Sequence, residues 1–153
     1  MKTLSLLILM TSALAMGADK KAIHPEGSNP AGPYTPGIVA GGTLYVAGQV
    51  GRDKSGAYPA QFEDEVAQAI ENSVTIMKAA GYSLADAVSV QVYLTDMELF
   101  QRMNAVYMKH FPEPRPARTT VGISKLVGPA KIEITVTAWK DPGPAPVRLQ
   151  PVR

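Results

Sequence analysis

The chain contains no cysteine, which excludes disulfides, thiolate metal sites and a cysteine nucleophile. Imidazole is scarce as well, with His24 and His110 the two histidines, so no metal site is expected. Charge of one sign is nowhere concentrated: 15 Lys+Arg against 13 Asp+Glu leave a formal net charge of +2 without a basic block or interleaved aromatics. That balance gives no electrostatic footprint for nucleic acid, and any anionic partner is expected to be small. Long apolar runs are missing too. The candidate, Leu4–Met10, falls well short of the ~20 residues that a membrane-spanning helix needs.

Lys2 precedes that run and Thr11-Ser12-Ala13-Leu14-Ala15 follows it, the layout of a secretory signal peptide with Ala13 and Ala15 at the small-residue cleavage positions. Residues 1–15 are therefore expected to be removed after Ala15, giving a periplasmic or secreted protein without membrane attachment. An uncleaved N-terminal anchor is the alternative reading of the same run.

With 46% hydrophobic and 18% charged residues, the 153-residue chain can bury one proper core. Pro25, Gly27, Pro30, Gly32 and Pro33 mark residues 16–31 as an arm without regular structure, and Pro142, Pro144, Pro146 and Pro151 mark 141–153 as an exposed tail. The domain is expected at 32–140. Within it, Ile38-Val39-Ala40 and Thr43–Ala47 flank Gly41-Gly42, a hairpin signal because two glycines supply the positive φ of a tight turn. Phe62, Val66, Ala69, Ile70, Ser73, Val74, Met77 and Ala80 recur at helical spacing up to Gly81. Val88, Val90, Val92 and Leu94 alternate with Ser89, Gln91, Tyr93 and Thr95 as a strand does. Thr95 and Glu98 have capping-box spacing for a helix running to about His110, and Pro112, Pro114 and Pro116 then force an extended connection. The order β-β-α-β-α-β-β predicts an α/β (α+β) domain with two helices on one face of a mixed sheet.

The chemistry concentrates in Arg118-Thr119-Thr120-Val121 and Lys131–Trp139. Ile132, Ile134, Val136 and Ala138 alternate with Glu133, Thr135 and Thr137, so Glu133 points away from the apolar face. The short Val127-Gly128-Pro129-Ala130 turn predicts that the two strands pair, with Arg118, Thr120, Glu133 and Thr135 on one face. An arginine fork matches a carboxylate in bidentate fashion and a glutamate can deprotonate water, a combination suited to hydrolysis of a small carboxylic acid. The same spacing equally suits a structural ion pair on a solvated sheet face. Tyr45, Gln91 and Tyr93 join that face, too aromatic for plain surface and too polar for a core, which predicts that subunits associate through it.

Gly32-Pro33-Tyr34, Val46-Ala47-Gly48-Gln49, Asn104-Ala105-Val106-Tyr107, Pro116-Ala117-Arg118 and Lys131-Ile132-Glu133-Ile134 together resemble, in order and spacing, the Rid family of reactive-intermediate deaminases, also called the YjgF or endoribonuclease L-PSP family. The resemblance runs from about Gly32 to Trp139. It implies a chorismate-mutase-like fold assembled as a homotrimer, clefts between subunits, and cofactor-independent hydrolysis of 2-imino or enamine acids to 2-oxo acids and ammonia. Arg118 would clamp the substrate carboxylate, Glu133 would orient the attacking water, Tyr34 would line the cleft, and main-chain groups near Gly48 and Thr120 would meet the other polar atoms. Tyr93, on the shared face, joins the substrate-binding set. Two positions depart from the pattern: Ala47 stands where active members commonly have serine, and Thr120 where they have cysteine. A noncatalytic trimeric binder of small carboxylates is the competing function. A ribonuclease-like translation inhibitor is a more distant one, for want of a basic stripe or a histidine pair.

Overall fold

The computed structural model describes residues 20–28 and 32–143, so the expected signal peptide and the tail beyond Gly143 lie outside the described residues. In chain order these residues form β1 (Lys21–Ile23), β2 (Gly37–Ala40), β3 (Thr43–Val46), β4 (Gln49–Val50), α1 (Phe62–Ala79), β5 (Ala87–Leu94), α2 (Phe100–His110), β6 (Ala117–Gly122) and β7 (Ile132–Trp139). Single turns of 3₁₀ helix sit at Leu84–Asp86 and Met97–Leu99.

Gly41 and Gly42, at φ 55° and 78°, make the β2–β3 turn that the glycine pair predicts. The sheet runs β1-β2-β3-β7-β5-β6, with β4 pairing on β7 beside the main path. β5 and β6 are parallel and every other pairing is antiparallel, so the sheet is mixed as expected. Leu44, Val90, Val92, Leu94, Ile132, Ile134, Val136 and Ala138 are buried beneath Phe62, Val66, Ala69, Ile70 and Met77 of α1 and Met103 and Tyr107 of α2. Truncating a side chain at the centre of that layer, such as Ile134→Ala, would cost about 2–5 kcal/mol.

α1 ends as its glycine signal predicts. Gly81, at φ 79°, follows the cap Ala80, Gly81 N–H donates to Lys78 C=O at 3.0 Å, and Tyr82 N–H reaches back to Met77 C=O at 2.8 Å. α2 begins differently from the expectation. Asp96, not Thr95, supplies the cap, accepting from Glu98 N–H at 2.9 Å, and it starts the Met97–Leu99 turn that leads into α2. Thr95 instead pairs its backbone N–H with Lys131 C=O at 3.1 Å.

Three further departures have local causes. Lys21–Ile23, expected as irregular arm, adds a short edge strand to β2, and its Ile23 is buried; three residues show no readable alternation. Val88, expected inward, is 47% exposed, because the β5–β7 register shifts between Ala87 and Ser89 and turns Ala87 inward instead. Glu65 of α1, a charged residue outside the predicted apolar stripe, is 3% exposed, its carboxylate Oε1 accepting the Lys131 N–H at 2.7 Å. The buried acid is thus satisfied by the backbone at the entry to β7.

Candidate active site

Arg118 is placed by β6, whose parallel register sets Val90 opposite Arg118 and Val92 opposite Thr120. Directly opposed residues share a face. Arg118 and Thr120 therefore project toward the helix layer, on the side of the core valines. At this outermost strand α2 lies close enough to receive the side chain: the guanidinium sits 4.6 Å from the Tyr107 ring centroid and 5.8 Å from that of Phe100, with Nη1 3.9 Å from Met103 Sδ. Ring faces attract a cation by ~0.5–2 kcal/mol and leave its N–H fork unspent. Among the described residues the ion pairs are Arg102–Glu63, Arg115–Glu113 and Lys140–Asp86, and Arg118 belongs to none of them. Beside it opens a cavity of about 480 Å³ lined by Gln101, Asn104, Tyr107, Met108, Arg115, Pro116 and Arg118.

Among the described residues two hydroxyls are buried without a hydrogen-bond partner: Tyr107 Oη, on the ring that carries the guanidinium, and Thr120 Oγ1, two residues along β6 from Arg118. Burial pushes the Tyr107 pKa up to about 12, partly offset by the nearby Arg118 and Arg115 charges. Its phenol stays protonated across the physiological range.

Glu133 lies on the other side of the sheet. On β7 it stands opposite Tyr93 of β5 and opposite Val50 of β4, away from Ile132 and Ile134, which are fully buried. Its carboxylate rests against the α-carbon of Gly48; a β-carbon there would come within 2.8 Å of Glu133 Cδ. Gln49 Nε2 donates to both Ala47 C=O and Gly48 C=O at 2.9 Å, and Ala47 N–H donates to Pro36 C=O at 2.9 Å, so the backbone around Gly48 is fixed on both sides. Gln49 is a supporting residue that the sequence showed only as part of a motif. Asn72 of α1 adds hydrogen bonds to Val50 C=O at 2.9 Å and Arg52 C=O at 2.8 Å, a tie invisible in a helical pattern. A second cavity, of about 620 Å³, includes Tyr34, Gly48, Gln49, Arg52 and Lys54 in its lining, and Tyr34 is exposed at its edge.

The structure thus corrects the expected pairing of the Arg118 and Glu133 strands. β5 lies between β6 and β7, and residues 123–131 carry the chain across its end. The registers on β5 oppose Arg118 and Thr120 to the inward Val90 and Val92, and Glu133 and Thr135 to Tyr93 and Gln91, which puts the first pair on the helix side and the second on the open side. The expected Arg118–Glu133 face does not exist within one chain. Gly48, Tyr93 and Glu133 gather on one side of the sheet, Arg118 and Thr120 on the other, while Tyr34 shares with Gly48 the second cavity, which Asn72, Thr75 and Ile76 of α1 also line. The open side also exposes Tyr45 at 53% and Trp139 at 50%.

Neither histidine joins either group: His24 is exposed near the described N-terminus, and His110 Nδ1 lies 3.0 Å from Val106 C=O at the end of α2. No group of three His, Asp or Glu side chains among the described residues is arranged to hold a metal. No helix among them is long and apolar enough to cross a membrane.

The model of the family described as endoribonuclease L-PSP matches residues 26–140. The chain belongs to that family, the Rid or YjgF family of the sequence motifs. A RutC family protein of Pyrococcus horikoshii is 42% identical over 125 residues, 80% of this chain and 99% of that protein. A protein of Dermatophagoides farinae named 2-iminobutanoate/2-iminopropanoate deaminase is 32% identical over 112 residues, covering 72% of this chain and 88% of its own length. Among solved structures, RidA from the Antarctic bacterium Psychrobacter sp. PAMC 21119 superposes with a TM-score of 0.74 at 31% identity, over 78% of this chain and 99% of that one. The sheet covered on one face by two helices is therefore the Rid-family fold.

Proposed function

We propose that this Rid-family protein hydrolyses small 2-imino or enamine acids to 2-oxo acids and ammonia, without a cofactor, in clefts formed between the subunits of a homotrimer. The observation that carries the reading is the state of Arg118, a half-buried guanidinium held on aromatic faces beside a cavity and paired with no carboxylate among the described residues. Such a fork is prepared for a carboxylate that arrives from outside. Glu133 is prepared in a different sense, its carboxylate packed on Gly48 and Tyr93 directly opposite it on β5. Since the two groups face opposite sides of one sheet, a cleft holding both takes Arg118 from one copy and Glu133 from another. The exposed Tyr45 and Trp139 give the open face a reason to be covered by such a copy.

In that cleft Arg118 holds the carboxylate of the imino acid, which fixes the C2 carbon. Glu133 takes a proton from water as the oxygen attacks C2, and the C=N π electrons move to nitrogen, which is protonated. The tetrahedral intermediate then expels ammonia as its hydroxyl loses a proton, leaving C2 as the 2-oxo carbon. The name carried by the Dermatophagoides farinae relative supports this substrate class. The test is a coupled assay: an amino-acid oxidase generates imines in the presence of purified protein, and 2-oxo acid release is timed. Acceleration over the spontaneous rate is expected. Binding of small carboxylates without acceleration would instead make the protein the noncatalytic binder.

The Leu4–Met10 run and the Ala13/Ala15 site further support export with loss of residues 1–15. The imines would then come from amino-acid oxidation in the cell envelope. N-terminal sequencing of envelope material is expected to begin at Met16, and intact Met1 recovered from the cytosol would overturn export.

A further inference from the structure

The hydroxyl of Tyr107 has no role in the fold that a phenylalanine would not fill. Tyr107 is 2% exposed, stacks on Phe111 with ring centroids 4.1 Å apart, and carries the Arg118 guanidinium over its face at 4.6 Å. All of those contacts belong to the ring. The oxygen itself is buried and unpartnered, and the same is true of Thr120 Oγ1, which stands two residues beyond Arg118 on the same face of β6. A buried hydroxyl without a partner destabilises the chain that holds it, so the Tyr107 oxygen, on the ring that carries Arg118, calls for a ligand that satisfies it.

Resting on the reading of Arg118 as a carboxylate clamp, we propose that Tyr107 is a further substrate contact, its hydroxyl donating a hydrogen bond to the carboxylate that Arg118 holds. Tyr107 lines the cavity beside Arg118, so the ring already borders the space a ligand would enter. Donation fits the chemistry of the group: with its pKa raised to about 12 the phenol keeps its proton, and a carboxylate only accepts. The hydroxyl is covered in the free chain. Side chains around it therefore adjust as the acid enters, exposing the oxygen to the carboxylate.

The test compares wild type, Tyr107→Phe and Arg118→Ala as full-length protein, measuring unliganded Tm and affinity for 2-oxobutanoate, the 2-oxo acid that hydrolysis of 2-iminobutanoate yields. Tyr107→Phe is expected to keep or raise the unliganded Tm, since it removes an unsatisfied hydroxyl, while weakening 2-oxobutanoate binding by about tenfold to a hundredfold. A gain in stability paired with a loss of affinity is a signature that a merely structural hydroxyl cannot give. Arg118-dependent binding that Tyr107→Phe leaves unchanged would sink the Tyr107 contact alone. Weakened binding accompanied by a fall in unliganded Tm would assign the hydroxyl to the fold and overturn it too. Equal binding by wild type and Arg118→Ala would remove the carboxylate clamp, and the Tyr107 contact with it.

Discussion

The carboxylate of Glu133 lies across the α-carbon of Gly48, where a β-carbon would come within 2.8 Å of Cδ and 3.2 Å of Cγ. Gly48 is not at positive φ, so alanine can adopt its backbone and the contact alone decides the effect. Gly48→Ala is expected to fold but to push the Glu133 carboxylate aside. A misplacement of that order costs about 10²-fold in turnover. Steady-state kinetics beside a melting curve checks it; full turnover in Gly48→Ala would show that the position of Glu133 is unimportant.

Arg118 and Glu133 should fail differently. Arg118→Ala removes a charge-assisted bidentate contact, so kcat/KM should fall by an amount equivalent to about 2–5 kcal/mol, and Arg118→Lys should rescue little because a point charge lacks the fork. Glu133→Gln keeps the shape and removes the base, so substrate should still bind while kcat drops by about 10² to 10⁴-fold. Near-full turnover in Glu133→Gln would end the water-activating role.

Opposite faces make a complementation test available. If each cleft takes Arg118 from one subunit and Glu133 from its neighbour, unfolding Arg118→Ala and Glu133→Gln chains together and refolding them as a mixture should recover activity that neither has alone, about a quarter of wild type for random assembly. Light scattering should give three times the chain mass. A monodisperse monomer at micromolar concentration, or mixtures as inactive as their parents, would dismiss the shared cleft.

The two helices are tied by Arg102 of α2, whose Nε and Nη2 donate to Glu63 of α1 at 2.7 and 2.8 Å. That hydrogen-bonded fork holds the Glu63 carboxyl at about 2, well below its ordinary 4.5. A depressed carboxyl pKa stabilises the fold above the ordinary value, and the contribution is lost as pH falls from about 4.5 toward 2. NMR titration should place the Glu63 midpoint near 2, returning toward the ordinary value in Arg102→Leu. Because the pair is solvent-exposed, its effect on Tm should shrink in high salt.

Much of the fold was legible in the chain because the signals were local. The 3.6 period of Phe62 to Met77, the strict alternation of Ile132 to Ala138 and the Gly41-Gly42 turn each fix an element by sequence alone, since one face of each must be buried. Candidate site residues could be named from the chain as well, Arg118 and Glu133 by their chemistry and Gly48 and Tyr34 by motif. Which of them meet was not legible. Strand order and register are long-range properties: β5 lies between β6 and β7, and the register that opposes Arg118 to Val90 and Thr120 to Val92 turns both toward the helices. A parallel partner reached through α2 and an antiparallel one reached through residues 123–131 look alike in alternation, because period 2 states that faces differ but not which face a neighbouring strand shares. Tertiary packing likewise decided that Glu65 is buried against Lys131 N–H, that Arg118 rests on Tyr107, and that a phenol spaced like any helical core residue keeps an unpaired hydroxyl. Those facts depend on contacts between segments far apart in the chain, where composition and periodicity carry no information.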